Sequence, residues 1–268
     1  MKVLNPDIDP SKFFESLKES RNRALLLDYD GTLAPFVVKR NEAFPYEGVS
    51  AVLEDIMRKG SSRLVIITGR ALDDVVPLLA LERTPEIWGS HGGERLFADG
   101  TRQRASLSTA SSRGLESAVH WIGEMGWDDH VERKPLGVAV HWRGVEPAKT
   151  KELQDRLLSG LPGFVAGTGL SIHAFDGGLE LRSPEASKGE AVKTLLGEMG
   201  EETVSAYLGD DLTDEDAFAA LKEYSSHSIC VLVREELRDT KADLWIRPPW
   251  ELLDFLRRWQ ESTRRSGM

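Results

Sequence analysis

Leu25-Leu26-Leu27-Asp28-Tyr29-Asp30-Gly31-Thr32-Leu33 decides the reading of this chain. The apolar run has no polar face, which is the pattern of a central strand buried on both sides of a parallel sheet. It ends in two aspartates separated by one residue, and a Gly-Thr turn follows. In an open α/β sheet, ligands bind in the crevice beyond the carboxyl ends of the strands. Asp28 and Asp30 therefore fall where chemistry is expected, with Gly31 free to make a tight turn. Two neighbouring carboxylates repel each other, so a cation is their natural partner. Mg²⁺ takes oxygen ligands and is commonly held by one or two carboxylates plus substrate phosphate.

Outward from this stretch, strands and helices alternate. Ser11 is the expected N-cap of a first helix over 11–20, with Phe13, Phe14 and Leu17 at helical spacing; residues 1–10 read as an irregular lead-in. A helix over 45–59 ends at Gly60. A second buried strand, 63–67, runs into Thr68-Gly69-Arg70, and a helix over 71–79 follows. A third strand, 87–89, exits through Ser90-His91-Gly92-Gly93. This alternation specifies a parallel sheet. The pattern then changes. A hairpin turns at Asp99-Gly100, helices are expected over 108–125 and 147–159, and strands within 129–143 and 163–182. Alternation resumes with a helix over 188–199, a strand over 204–208, a helix from 214, strands near 229–233 and 243–246, and a helix from 249. The tail, 264–268, is expected to fray. The expected fold is α/β: a Rossmann-like parallel-sheet core from 1–101 and 183–268, interrupted by a smaller inserted α+β domain, 102–182.

Three more polar groups follow core elements. Thr68 offers a hydroxyl donor, and Gly69 lets main-chain N–H groups approach an anion. Lys188-Gly189 opens a helix, where an ammonium and free N–H groups attract anions. Gly209-Asp210-Asp211-Leu212-Thr213-Asp214-Glu215-Asp216 follows a short apolar strand. The helix dipole accounts for acids at 214–216. It does not account for Asp210 and Asp211, which end the strand. Together with Asp28 and Asp30 they make a site for a hard cation.

The order of these pieces resembles the haloacid dehalogenase (HAD) phosphohydrolase superfamily, whose nucleophile motif is similar to Asp28-Tyr29-Asp30-Gly31-Thr32-Leu33. Four further stretches resemble the trehalose-6-phosphate phosphatases within it: Gly209 to Phe218, Gly89-Ser90-His91-Gly92, Glu132 to Arg143, and Glu180-Leu181-Arg182 ahead of Lys188-Gly189. The similarity runs from about Ala24 to Leu221. It implies that Asp28 is the nucleophile, forming an aspartyl-phosphate, and that Asp30 is the general acid and base. Thr68, Gly69, Arg70 and Lys188 would bind phosphate. Mg²⁺ would sit on the Asp28 carboxylate, the Asp30 carbonyl and Asp210, supported by Asp211 and Asp214.

The insert would be a cap that closes over the sugar and excludes water. Strand alternation puts Val138, Val140 and Trp142 on one face and Ala139, His141 and Arg143 on the other. Glu132, Lys134, His141, Arg143, Glu180 and Arg182 would serve the substrate, with Lys134 and Arg143 also placed to help hold the phosphate. His91 would line the site, whereas His120, His130, His173 and His227 read as packing or surface. Trehalose 6-phosphate is the expected substrate. Two departures bear on it: Gly177-Gly178 stands where the family has Gly-Lys, and Ser183 where it has proline after Glu-x-Arg. They keep glucosylglycerol phosphate, mannosyl-3-phosphoglycerate and sucrose 6-phosphate open as alternatives, beside a non-catalytic regulatory domain.

Composition narrows the class further. Charged residues are 29% and hydrophobic residues 40% of the 268, ordinary for a soluble globular chain. A net charge of -10 argues against nucleic acid as a partner. No apolar stretch approaches the length of a membrane span, which removes a P-type pump, and no signal core precedes residue 10. A cytoplasmic monomer is expected, with a trehalose-phosphate synthase as a candidate partner. Cys230 is the single cysteine, reads as a small core hydrophobe, and leaves no disulfide within the chain.

Overall fold

The computed structural model describes residues 1–264 except 176, 201 and 226. The tail expected to fray lies outside the described residues beyond Arg264. The chain divides into two compact units, Met1–Arg102 with Ser187–Met268, and Gln103–Ala186.

The first unit begins with β1 (Lys2–Val3), α1 (Pro10–Glu19), β2 (Arg23–Leu27), α2 (Val49–Lys59), β3 (Arg63–Ile67), α3 (Leu72–Leu79), β4 (Glu86–Gly89) and β5 (Glu94–Leu96). β6 (Arg102–Arg104) carries the chain into the second unit. That unit holds α4 (Thr109–Glu124), β7 (Val131–Lys134), β8 (Gly137–His141), α5 (Pro147–Gly160), α6 (Pro162–Val165), β9 (Ser171–Phe175) and β10 (Gly178–Arg182). The first unit resumes with α7 (Lys188–Met199), β11 (Val204–Gly209), α8 (Asp214–Tyr224), β12 (Ser228–Val233), β13 (Leu244–Ile246) and α9 (Trp250–Thr263).

The large sheet has the order β1-β13-β12-β11-β2-β3-β4-β5-β6, and its six central strands run parallel. From β2 the chain steps to β3 and β4 on one side, while β11, β12 and β13 build the other. The order therefore reverses between β2 and β11, and a crevice opens at the carboxyl ends of that pair. Burial explains the unbroken apolar run of β2. Leu25 and Leu27 pack in one core with α1, α2, α3 and α9; Ala24 and Leu26 pack in another with α7 and α8. Cys230 is buried in the second core, as expected. No helix among the described residues is long and apolar enough to cross a membrane.

Local differences from the sequence reading have identifiable causes. Asp9, not Ser11, caps α1: its carboxylate accepts from the Ser11 and Lys12 N–H groups, and Pro10 occupies the first turn, where no N–H is needed. The lead-in is not wholly irregular, because Lys2 and Val3 add an antiparallel edge to β13. The second helix starts at Val49 instead of residue 45; the Tyr46 N–H first bonds the Leu33 carbonyl (2.9 Å), tying the approach back to the turn after β2. A strand expected near 163 is the short helix α6, which Pro162 opens and the Thr168 hydroxyl closes on the Phe164 and Val165 carbonyls.

In the second unit four antiparallel strands run β7-β8-β10-β9. Val138, Val140, Leu179 and Leu181 pack on Leu115, Val119 and Ile122 of α4 and on Leu153 and Leu157 of α5. Register puts Glu132, Ala139, Glu180 and His173 in one cross-strand row, and Lys134, Gly137, Arg182 and Ser171 in the next. These rows lie on the face opposite the apolar one.

Candidate active site

Asp28 follows β2 directly, and its main-chain N–H bonds the Leu208 carbonyl of β11 (2.9 Å). Hydrogen bonding therefore continues one residue past the strand and brings the ends of β2 and β11 side by side. Asp210 follows β11, and Asp214 opens α8 one turn later. Asp28, Asp210 and Asp214 are all buried, and each offers a carboxylate oxygen within 4.8 Å of the others. Lys188, the first residue of α7, donates to Asp28 (2.6 Å) and Asp214 (2.7 Å). Asp214 also accepts from the Tyr207 hydroxyl (2.6 Å) and from the N–H groups of Asp210 (3.1 Å) and Asp211 (3.0 Å). Thr32 donates to Asp28 (3.2 Å).

One ammonium thus faces three buried carboxylates. Burial raises the Asp28 carboxyl to about 7, against the pull of Lys188. Burial and then Asp28 push Asp210 well above the carboxylate range. For Lys188, burial acts downward, but Asp214 and Asp28 outweigh it and hold the ammonium above its ordinary value. Asp210 Oδ1 is buried without a hydrogen-bond partner among the described residues. Uncompensated negative charge, an orphaned carboxylate oxygen and all-oxygen donors fit a hard divalent cation. Gly31 is part of this fit. Its φ is +82°, and a Cβ there would stand 2.2 Å from Asp210 Oδ2, so only glycine lets the turn pass the carboxylate.

Asp30 lies apart from the carboxylate cluster. Arg70 grips both its oxygens (2.7 and 2.6 Å) and also donates to the Arg40 carbonyl (2.8 Å). Arg70, expected among the phosphate ligands, places its guanidinium on Asp30 and on the segment after β2. Thr68 is buried, and its hydroxyl accepts from the Arg70 N–H (3.1 Å). Gly69 passes under the His91 ring, where a Cβ would stand 2.6 Å from Cε1. His91 and Ser90 both take left-handed conformations (φ 57° and 51°). Glu94 holds that turn by accepting from the Ser90 hydroxyl (3.0 Å) and the Leu72 N–H (3.3 Å). Asp211 stands outside the carboxylate cluster, and its carboxylate accepts only the neighbouring Leu212 N–H among the bonds described.

The remaining expected residues lie in the second unit. His141 and Glu132 pair at 2.6 Å, and Lys134 and Glu180 at 3.3 Å with both side chains buried. Arg182 contacts the His173 ring (3.1 Å), which also bonds the Ser171 hydroxyl (2.7 Å). His173 was read as packing or surface; register sets it in the same row as Glu132 and Glu180. Arg143 follows β8 beside Gly177, where a Cβ would lie 3.2 Å from its Nε. At Gly178, the position where the family has lysine, the Phe175 ring fills the space of a Cβ, with Cζ 2.0 Å away.

The profile of the trehalose-phosphatase family matches residues 26–244, which span both units. The chain belongs to the trehalose-phosphatase family. Trehalose-phosphate phosphatase B of Arabidopsis thaliana is 29% identical over 268 residues, covering 90% of this chain and 67% of the relative. The trehalose-6-phosphate phosphatase C-terminal domain of C. albicans superposes with a TM-score of 0.81 at 22% identity, covering 97% and 99% of the two chains. The Candida albicans trehalose synthase regulatory protein C-terminal domain shares the fold at a TM-score of 0.74 and 10% identity, covering 97% and 100%. The fold is thus shared with a protein named as a phosphatase and with one named as a regulator.

Sequence reasoning passed over several residues of this trehalose-phosphatase family member. Thr32 lay inside the quoted motif. Tyr207 carried a usable signal, a phenol hydroxyl near the end of a largely apolar strand. Glu94 and Arg238 carried none, because their partners are set by tertiary folding; Glu215 lay inside the quoted acidic stretch, where the helix dipole accounts for it but its partner does not show.

Proposed function

We propose that this chain is a Mg²⁺-dependent phosphatase that hydrolyses trehalose 6-phosphate to trehalose and phosphate. The observation that carries the reading is Asp28: buried, held by Lys188 and beside Asp210 and Asp214 at the switch point of the sheet. Mg²⁺, bound by Asp28, Asp210 and the Asp30 carbonyl with Asp214 and Asp211 in support, would neutralise phosphate charge. An Asp28 oxygen attacks phosphorus in line, and the bond from phosphorus to the sugar oxygen breaks. Asp30 gives the departing oxygen a proton. Water then attacks the aspartyl-phosphate, Asp30 takes its proton, and phosphate leaves with Asp28 restored.

Lys188, Thr68 and the main chain at Gly69 hold the phosphate oxygens. Arg70 orients Asp30, and His91 shapes the loop at Gly69. We assign the Gln103–Ala186 unit the role of cap, close to the insert expected at 102–182. Its polar face, with Glu132, Lys134, His141, Arg143, Glu180 and Arg182, is assigned to the sugar. The Phe175 ring over Gly178 favours one alternative, another glycosyl phosphate, because it replaces a cation with an apolar surface. The retained carboxylate set favours catalysis over a regulatory role.

The test is phosphate release from trehalose 6-phosphate, sucrose 6-phosphate, glucosylglycerol phosphate, mannosyl-3-phosphoglycerate and glucose 6-phosphate, with Mg²⁺ and with EDTA. Fast Mg²⁺-dependent turnover of the first substrate, lost in Asp28→Asn, is expected. Preference for another sugar would move the substrate and keep the chemistry. No turnover of any would overturn the enzymatic reading.

A further inference from the structure

Arg238 lies outside every motif of the sequence, in the segment between β12 and β13. Its guanidinium nevertheless meets the loop that carries Asp210. Nε and Nη2 each donate to the Asp210 carbonyl (3.2 Å), and Nη2 also donates to the Asp211 carbonyl (2.7 Å). Nη1 donates to Glu215 (2.5 Å) and to the Asp239 carbonyl (2.8 Å). Glu215 is anchored in turn by the Thr240 hydroxyl (2.8 Å) and the Lys241 N–H (2.8 Å). Both partners are largely shielded, with side chains 18% and 16% exposed.

The peptide groups on both sides of the Asp210 Cα are therefore held. Its N–H is bonded to Asp214, and its carbonyl to Arg238. On the remaining side the carboxylate abuts Gly31. What stays unsatisfied among the described residues is Asp210 Oδ1, buried and without a partner. The main chain that carries the carboxylate is thus held on both sides of its Cα. Arg238 and Glu215 carry opposite charges, so the pair adds little net field at the cluster; its effect is geometric.

We propose that Arg238, oriented by Glu215, is a positioning residue that sets the direction of the Asp210 carboxylate and so determines affinity for the divalent cation. The inference deepens the phosphatase reading and rests on it for the identity of the cation. The planar fork is essential, because an ammonium is a point donor that cannot span two carbonyls and a carboxylate. Arg238→Lys should then fail although it keeps the charge.

The experiment is calorimetric titration of the intact chain with Mg²⁺ alone, for wild type, Arg238→Lys, Arg238→Gln, Glu215→Ala and the double variant Glu215→Ala/Arg238→Lys. Loss of a partner that orients a ligand costs about 10–100-fold in metal affinity, and that loss is expected in each single variant. The double variant should be no weaker than the weaker single, because the two residues act as one device. Thermal unfolding with and without Mg²⁺ separates positioning from scaffolding: positioning shrinks the Mg²⁺-induced rise in Tm, whereas scaffolding alone lowers both curves equally. If Arg238→Gln unfolds, Glu215→Gln provides a milder variant with a smaller loss in the same direction. Wild-type Mg²⁺ affinity in the Arg238 variants would overturn the inference. No Mg²⁺ binding by the wild type would overturn the metal reading itself.

Discussion

Replacing Lys188 by methionine keeps most of the aliphatic stem and removes the ammonium between Asp28 and Asp214. An uncompensated buried charge costs about 3–5 kcal/mol. Asp28 has an escape, because its carboxyl already sits at about 7 and can take a proton. At pH 8.5 that proton costs about 2 kcal/mol, at about 1.4 kcal/mol for each pH unit. This is the ceiling on the loss through Asp28. At pH 5.5 Asp28 carries its proton in both proteins, and the loss through Asp28 is a hydrogen bond, about 1 kcal/mol; the buried ion pair with Asp214 is lost at both pH values and adds an equal cost to each. Asp214 keeps the Tyr207 hydroxyl and two main-chain donors in either case.

The destabilisation by Lys188→Met therefore grows as pH rises through about 7. The pH-dependent part corresponds to about 4–8 °C in Tm for a chain of this size. Calorimetric melts in EDTA at pH 5.5 and 8.5 measure it directly. An equal loss at the two pH values, or a larger one at pH 5.5, would refute the argument that Lys188 serves to keep Asp28 ionised.

Other contacts carry their own expected outcomes. The wild-type Asp28 carboxyl is held above its unfolded value, so its contribution to stability is present in acid and is lost as pH rises through about 7. Metal-free protein should lose Tm between pH 5.5 and 8.5, and Mg²⁺ should restore it mainly at pH 8.5; scanning fluorimetry checks this, and a flat EDTA curve contradicts it. Gly178→Lys, which restores the family's residue, drives a Cβ into Phe175 and should cost about 1–3 kcal/mol. Adding Phe175→Ala should recover part of that cost, and an additive double-mutant cycle would show that the ring is not the obstacle. Arg95 and Arg63 hold Glu198 at about 2, so its stabilisation is present above the ordinary carboxylate range and is lost as pH falls through about 2. Glu198→Gln should lower Tm at pH 7 and converge with wild type in strong acid.

Much of the fold was legible because one-dimensional pattern maps directly onto burial. Leu25, Leu26 and Leu27 are apolar because each face of β2 meets a different helical layer. Asp28 and Asp210 stand out because polar residues end two such strands. The insert announced itself by a change of period, and alternation along β8 gave the two faces of its sheet. Local chemistry was less legible where neighbours compete: Asp9 outcompeted Ser11 as a cap, and the pairing of β1 with β13 depends on residues more than 240 positions away.

By itself, then, the sequence determined the class of the fold, the acids that end its strands and the lysine that opens α7, since those are matters of residue type and spacing. Only the tertiary structure decided what each charge touches. Arg70 went to Asp30, Asp214 joined Asp28 and Asp210 around Lys188, and Arg238 came 28 residues along the chain to hold the Asp210 carbonyl. Contacts of this kind depend on strand order and on how far a buried side chain must reach for a partner. Neither quantity is written in local sequence, because a buried charge takes whichever partner the completed fold brings within bonding distance.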